Sequence, residues 1–148
     1  MKLRIPVSVL VVIHTSDLQV LLLERADHPG WWQSVTGSQE PGETLTETAI
    51  REVKEETSLD AGKYTLSDWG YQNRFEIFDC YRHRYVPGTI YNTEHVFGLA
   101  IQSPLPIQLS PREHLSYQWL PAKQAATQCF SPSNAEAIGR LINRTANC

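Results

Sequence analysis

Two apolar runs dominate the first part of the chain. Residues 6–13 are almost unbroken in their apolar character and rich in β-branched side chains, a pattern typical of a strand buried on both faces. Residues 19–23 form a second apolar run after the turn-forming residues 15–17. The two runs are therefore predicted to pair as a hairpin.

The rest of the chain alternates between strand and helix patterns. Helices are predicted over residues 44–57 and 133–144, the first with Thr44 as its N-cap and Glu47 completing a capping box, the second capped by Ser133 or Asn134. Further extended segments are predicted at residues 31–35, 64–70, 75–81, 94–102 and 115–120. This order predicts an α/β fold with a central mixed sheet covered on both sides, and one domain over residues 1–148.

Composition removes several classes of protein. The 148 residues carry a formal net charge of −3, so no positive field exists to hold nucleic acid. The N-terminal apolar run has about nine residues, too few to span a bilayer, and no small-residue cleavage site follows it. Cys80, Cys129 and Cys148 form no C-x-x-C pair, which favours reduced thiols. We expect a cytoplasmic protein without membrane or nucleic-acid partners.

Acidic residues are concentrated in one segment. Residues 40–60 contain seven acidic and two basic residues. On a helix, Glu52, Glu55 and Glu56 share one edge, because side chains three and four positions apart are neighbours. That edge is either a solvated acidic face partnered by Arg51 and Lys54, or a site for a hard divalent cation such as Mg²⁺.

The residues before this helix favour the metal site. The segment resembles the Nudix box, G-x5-E-x7-R-E-U-x-E-E-x-G-U, in which U is aliphatic. One position departs from the pattern, because Ser58 stands where the family has a glycine that ends the helix. The matching identities are Gly37, Glu43, Arg51, Glu52, Glu55 and Glu56, with Val53 and Leu59 at the aliphatic positions.

The resemblance implies a Nudix-type α/β/α sandwich and a hydrolase acting on a diphosphate linkage. It implies that Glu52, Glu55 and Glu56, with the backbone carbonyl of Gly37, hold Mg²⁺. It gives Arg51 and Glu43 structural roles. A general base is also needed. We expect Glu113, in the loop before a late strand; a box glutamate such as Glu55, or His114, is the alternative.

Segments outside the box, among them residues 32–38, 75–78, 82–85 and 113–119, are similar to the bacterial members of this family that hydrolyse dihydroneopterin triphosphate in folate synthesis. A pterin has a flat ring with a 2-amino-4-oxo edge, and one carboxylate can accept two N–H bonds from such an edge. The expected substrate-binding residues are Arg4 and Arg25 for the triphosphate, Thr36 for a phosphate or the ligand, Phe75, Glu76, Ile77 and Phe78 for the ring, and Ser131 at the rim. Strand alternation would keep all four of residues 75–78 from facing one pocket, unless the strand bulges.

Two other functions stay open from the sequence. The same chemistry on purine nucleoside triphosphates, such as dATP or an oxidised dGTP, needs the same ring shape and polyphosphate. A non-enzymatic nucleotide sensor is a different class, but such proteins usually lack box glutamates that are present here. We expect a small-molecule substrate and a monomer or weak homodimer.

Overall fold

The computed structural model describes residues 2–146 as a seven-stranded mixed sheet with helices on both faces. This confirms the predicted α/β/α sandwich with a central mixed sheet. Within the described residues, no helix has the length and apolar character needed to cross a membrane. The strands are β1 (Val7–Thr15), β2 (Gln19–Arg25), β3 (Trp32–Gln33), β4 (Val35–Ser38), β5 (Thr65–Glu76), β6 (Tyr91–Ile101) and β7 (His114–Pro121). The helices are α1 (Leu45–Thr57), α2 (Ala122–Gln128) and α3 (Pro132–Ala146), with 3₁₀ helices at Ala61–Lys63 and Asp79–Arg84.

Strand β1 lies at the centre of the sheet. It runs parallel to β6 along its whole length and antiparallel to β4 over residues 8–11. It meets β2 at the His14–Val20 pair, which confirms the predicted hairpin. Because β6 occupies one edge of β1, strands β2 and β4 must share the other edge. Along this edge, β4 therefore pairs with the first half of β1 and β2 pairs near its end.

Alternate residues of β1 build two separate cores. Val9, Val11 and Ile13 pack on the side of α1, whereas Leu10 and Val12 pack on the side of α2 and α3. All five are almost fully inaccessible, and each such side chain contributes roughly 1.5–3 kcal/mol of burial free energy. The prediction of a strand buried on both faces is confirmed.

Helix α1 begins and ends as its sequence predicts. The Thr44 hydroxyl accepts the Glu47 N–H at 3.1 Å, and the Glu47 carboxylate accepts the Thr44 N–H at 2.9 Å. This reciprocal capping box fixes the helix start. At the other end Ser58 adopts φ of 67°, in the place of the expected glycine. That conformation costs a non-glycine residue about 1–2 kcal/mol, which the hydrogen bond from the Ser58 hydroxyl to the Gln108 carbonyl partly offsets.

The prediction of two separate strands at 64–70 and 75–81 is wrong. Strand β5 runs unbroken through both segments as far as Glu76. The pairing of β5 with β6 shifts in register beside Gly70, which adopts φ of 76°. The strand continues through this irregularity, where the sequence pattern predicts its end. After Glu76 the chain leaves the sheet and forms the 3₁₀ helix Asp79–Arg84. The guanidinium of Arg82 stabilises this departure by donating to the Ile77 carbonyl.

The C-terminal part differs in two details. Helix α2 was not predicted, because its apolar face consists mainly of alanines, two of them buried. Helix α3 begins at Pro132, so Ser133 and Asn134 lie in its first turn and are not its N-cap. The Asn134 side chain instead bonds the backbone N–H and the hydroxyl of Ser34. Cys80 and Cys129 are free thiols, whereas Cys148 lies outside the described residues.

Candidate active site

The close packing of α1 on β4 brings the predicted metal ligands to the strand. A Cβ atom on Gly37 would overlap the carboxyl group at the end of the Glu52 side chain, so a larger residue here would have to displace that carboxyl group. The side chains of Glu52 and Glu56 are buried, with Glu56 only 2% exposed. The structure therefore places two carboxyl groups and the Gly37 backbone together at one edge of α1.

Arg51 organises the carboxylates around this edge. Its Nε and Nη2 atoms donate to the two carboxylate oxygens of Glu43 at 2.7 and 3.0 Å, and its Nη1 atom donates to Glu52 at 2.7 Å. It also donates to the Ser38 carbonyl on β4. Hydrogen bonding from Arg51 lowers the pKa of Glu43 to about 2. Arg51 and Glu43 thus connect the loop, the strand and the helix, as a structural role requires.

The chemistry of the buried carboxyl groups suits a divalent cation. Burial raises the pKa of Glu52, and it raises that of Glu56 well above the usual range, with the charges of Glu52 and Glu113 adding to the effect. The Oε1 atom of Glu56 is buried without a hydrogen-bond partner in the described part of the chain. Within residues 2–146 no three His, Cys, Asp or Glu side chains form a ready-made metal cluster. Arg51 instead bonds Glu52 and, at 3.4 Å, Glu55.

The two candidate bases next to the box differ in environment. Glu113 is exposed and lies directly before β7. His114 is buried, and its Nε2 atom lies 3.8 Å from Oε1 of Glu56. Burial, followed by the charge of Arg25, lowers the pKa of His114 to about 4. His114 is therefore neutral at pH 7 and adds no charge beside Glu56.

A cavity of about 270 Å³ opens beside this edge. Glu56, Gly37 and Glu113 line it on the side of the box. Most of the substrate-binding residues predicted from the sequence also line it: Arg4, Arg25, Thr36, Phe75, Ile77, Phe78 and Ser131. Residues distant in sequence therefore converge on one cavity whose volume approaches that of small-molecule sites.

Three predicted site residues do not reach the cavity lining. The Glu76 side chain is 65% exposed and is bonded by Arg82 at 2.7 Å. Its neighbours Phe75 and Ile77 face the cavity, so strand alternation turns Glu76 away. Phe78 reaches the cavity only because the chain has already left the strand. Glu52 lies behind Gly37, and the Glu55 side chain is half exposed beside Arg51.

Arginine side chains form one part of the cavity lining. The carboxylate of Asp27 accepts two hydrogen bonds from Arg25, at 2.8 and 2.9 Å, and lies 3.4 Å from Nη2 of Arg84. Both guanidinium groups stack on the Tyr81 ring. Burial, and then the charges of Arg4 and Arg25, lower the pKa of Arg84. Arg4, Arg25 and Arg84 together carry more positive charge than Asp27 neutralises, so this part of the cavity can bind a polyanion.

Arg82 and Arg84 both lie in the 3₁₀ helix Asp79–Arg84. The helix turns Arg84 and Tyr81 toward the cavity, and Arg82 toward Glu76 and Asp79. The sequence shows no periodicity that predicts this 3₁₀ helix. The apolar residues 75–78 suggest a strand that continues further, whereas β5 ends at Glu76.

Aromatic side chains form a second part of the lining. Phe78 and Phe130 face the cavity, and Trp31 stacks on Phe130 with ring centroids 4.4 Å apart and planes inclined by 10°. Phe78 packs against both rings at centroid distances of 5.7 and 5.8 Å. Three separate loops therefore supply one apolar wall suited to a flat ring.

A third part of the lining is polar and buried. Glu94 on β6 is 5% exposed and accepts a hydrogen bond from the Ser133 hydroxyl at 3.0 Å. Burial raises the pKa of Glu94 to about 7. Asn92, two residues earlier on the same face of β6, donates to the Ser8 hydroxyl. Glu94 is not among the site residues predicted from the sequence, although a glutamate at an inward-facing position of an apolar strand is an informative signal.

Comparison with known proteins decides the family. A model of the NUDIX domain matches residues 4–141. The chain belongs to the NUDIX domain family. This NUDIX protein is 49% identical over 144 residues to the dihydroneopterin triphosphate diphosphatase of Escherichia coli K12, covering 95% of each chain. It is 43% identical to the enzyme of the same name from Haemophilus influenzae, over 91% of this chain and 86% of that one.

A solved structure agrees with these sequence relatives. The NUDIX protein superimposes on the E. coli dihydroneopterin triphosphate pyrophosphohydrolase with a TM-score of 0.91. The match covers 97% of this chain and 99% of the other, at 46% identity. The similarity therefore extends over nearly the whole fold.

Proposed function

We propose that this protein is a Mg²⁺-dependent pyrophosphohydrolase that converts dihydroneopterin triphosphate to dihydroneopterin monophosphate and pyrophosphate, a step of folate biosynthesis. The observation that carries the proposal is the single cavity that joins an acidic helix edge, a group of arginines and an aromatic wall. A substrate with a polyphosphate tail and a flat ring matches these three parts. The similarity to enzymes named for this substrate supports the choice of a pterin.

The arginines are assigned to the triphosphate. Arg25 is held in place by Asp27 and Gln33, so its guanidinium is preorganised before substrate binds. Arg4 adds a second positive charge at the same part of the cavity. Thr36 directly precedes Gly37. Its hydroxyl donates to the Val9 carbonyl and can accept a further hydrogen bond. Fixed donors of this kind orient the tail for attack by water.

The box carboxylates are assigned to the metal. Glu52, Glu55 and Glu56, with the Gly37 carbonyl, supply the oxygen ligands that Mg²⁺ prefers. A bound cation would screen the phosphate charges and make water more acidic. Arg51 holds Glu52 and Glu55 before the cation arrives, so it orients both carboxylates and limits their mutual repulsion.

Glu113 is assigned as the general base. Glu113 directly precedes β7 and is exposed at the cavity. In the described part of the chain, its side chain forms no ion pair. A free carboxylate at that place can take a proton from the attacking water. Glu55 is the alternative, since its carboxylate is half exposed beside the box.

Analysis of the products tests the proposal. The protein is incubated with dihydroneopterin triphosphate and Mg²⁺, and the products are resolved by ³¹P NMR. We expect pyrophosphate and dihydroneopterin monophosphate in equal amounts, and no turnover with EDTA or with the Glu56→Gln variant. Release of inorganic phosphate, or turnover of dATP or oxidised dGTP alone, would contradict it.

The proposal includes the organisation of the enzyme. One domain over residues 1–148 would act in the cytoplasm, as a monomer or weak homodimer, on a small molecule. The free thiols of Cys80 and Cys129 are compatible with a reducing compartment. Sedimentation velocity over a range of concentrations tests the oligomeric state, and a stable higher oligomer would contradict it.

A further inference from the structure

Glu94 has an unusual position for a charged residue. It is buried in the middle of the sheet on β6, yet its side chain lines the cavity. In the described part of the chain no lysine or arginine forms an ion pair with it, and its hydrogen-bond donor is the Ser133 hydroxyl. A buried carboxyl group with one donor has unused acceptor positions, because an ionised carboxylate can accept about four hydrogen bonds.

The position of Glu94 relative to the box suits one end of an elongated ligand. Glu94 is the register partner of Ser8, and Ser8 is the register partner of Ser38 on β4, next to Gly37. Two strand spacings therefore separate Glu94 from Ser38, about 10 Å. When the phosphate tail lies beside Gly37 and Glu56, the far end of the ligand reaches toward Glu94.

The cavity lining that includes Glu94 fits a flat heterocycle. Phe75, Ile77, Phe78 and Phe130 supply apolar surface, whereas Asn134 and Ser131 at the start of α3 supply polar groups. Asn134 is already committed to Ser34 through its amide oxygen and nitrogen. Glu94 is thus a buried carboxylate in the cavity lining, as Glu56 is, and it keeps acceptor capacity for a ligand.

We infer, on the basis of the proposed function, that the Glu94 carboxylate recognises the ring of the substrate by accepting two N–H bonds from a 2-amino-4-oxo edge. A pterin and a guanine both offer two adjacent N–H donors on this edge. Adenine offers an N–H donor beside a ring nitrogen lone pair, which would face a carboxylate oxygen and leave it without a donor. Glu94 therefore determines specificity, and Glu76, which the sequence suggested for this task, lies outside the cavity.

Burial of Glu94 supports the same conclusion. The raised pKa of about 7 arises mainly from burial, with the Ser133 hydroxyl opposing it. Two further N–H donors from a ligand would favour the ionised form. The free protein thus holds a carboxyl group with fewer donors than its ionised form requires, and a 2-amino-4-oxo ring supplies the missing ones.

The test is a change in ring selectivity. The ratio of kcat/KM for dihydroneopterin triphosphate to kcat/KM for dATP is measured for the wild type and for Glu94→Gln. The amide keeps the shape but presents an N–H₂ group to the ring N–H donors. We expect the ratio to fall by about ten- to a hundredfold, with a parallel fall in the dGTP to dATP ratio. Glu136→Gln, on the exposed face of α3, is the matched control and should keep both ratios.

Two further variants complete the test. Glu94→Asp shortens the side chain and moves the carboxylate away from the ring, so it should also lower the ratios. It tests the role of Glu94 if Glu94→Gln does not fold. Unchanged ratios in folded Glu94 variants, or a loss of selectivity in Glu76→Gln instead, would overturn the inference. The proposed function has a separate failure: a wild type that prefers a nucleotide refutes the pterin substrate, while a Glu94-dependent dGTP to dATP ratio would still support the role of Glu94.

Discussion

Glu94→Gln should stabilise the free protein at high pH. Burial raises the pKa of Glu94 from 4.5 to about 7, so the folded state binds a proton more tightly than the unfolded state. The stability that Glu94 contributes is therefore fully present below pH 4.5 and is lost as the pH rises to about 7. Glutamine does not titrate, so the variant avoids this loss, and its amide can still bond the Ser133 hydroxyl.

The magnitude follows from the two pKa values. Each pKa unit corresponds to about 1.4 kcal/mol, so the interval from 4.5 to about 7 gives about 3 kcal/mol. For a chain of this size, 1 kcal/mol moves Tm by about 2–4 °C. The Tm difference between the variant and the wild type should therefore grow by about 6–12 °C between pH 4.5 and pH 8.5.

Thermal and urea unfolding measure this difference at the two pH values, without Mg²⁺ or substrate. Taking the variant minus the wild type cancels the titration of the other groups. Glu136→Gln is the control, because the Glu136 side chain is 53% exposed, and surface changes of this kind alter stability by about 0.5 kcal/mol or less. A Glu94→Gln difference that is the same at both pH values would refute the description of Glu94 as a buried carboxyl group short of donors.

Three other substitutions test the acidic edge and the base. Glu56→Gln should lower kcat by orders of magnitude and abolish the rise in Tm that Mg²⁺ causes in the wild type; a variant that keeps this rise contradicts the ligand role. Glu113→Gln should lower kcat about 10²- to 10⁴-fold with little change in KM, whereas an unchanged kcat would move the base to Glu55. Gly37→Ala should cost about 1–3 kcal/mol of unfolding free energy, because its Cβ would overlap the Glu52 carboxyl group; a variant of unchanged stability and activity would refute the close approach of α1.

The parts of the fold that the sequence predicts are those governed by local rules. The apolar run in β1 and the capping box at Thr44 are short-range patterns, and both are found in the structure. The box glutamates stand at fixed offsets on one helix, so their common edge also follows from helix geometry. The family and its α/β/α architecture could therefore be predicted before any tertiary contact was known.

The rest of the site depends on long-range contacts. Glu94 and Ser133 are brought together by the packing of α3 on the sheet, and Phe130 meets Trp31 through the approach of two loops. The position of Glu76 outside the cavity lining could not be predicted for a related reason. Strand alternation predicts that residues 75–78 cannot all face the cavity. Only the register of β5 on β6 shows that Glu76 is the one that faces outward.

In the proposed complex the cavity holds a pterin whose triphosphate tail lies at the acidic edge of α1. The most direct measurement compares kcat/KM for dihydroneopterin triphosphate, dATP and dGTP at saturating Mg²⁺. The kcat/KM of the pterin substrate should exceed that of both nucleotides by at least about tenfold. A preference of that size for either nucleotide would contradict it.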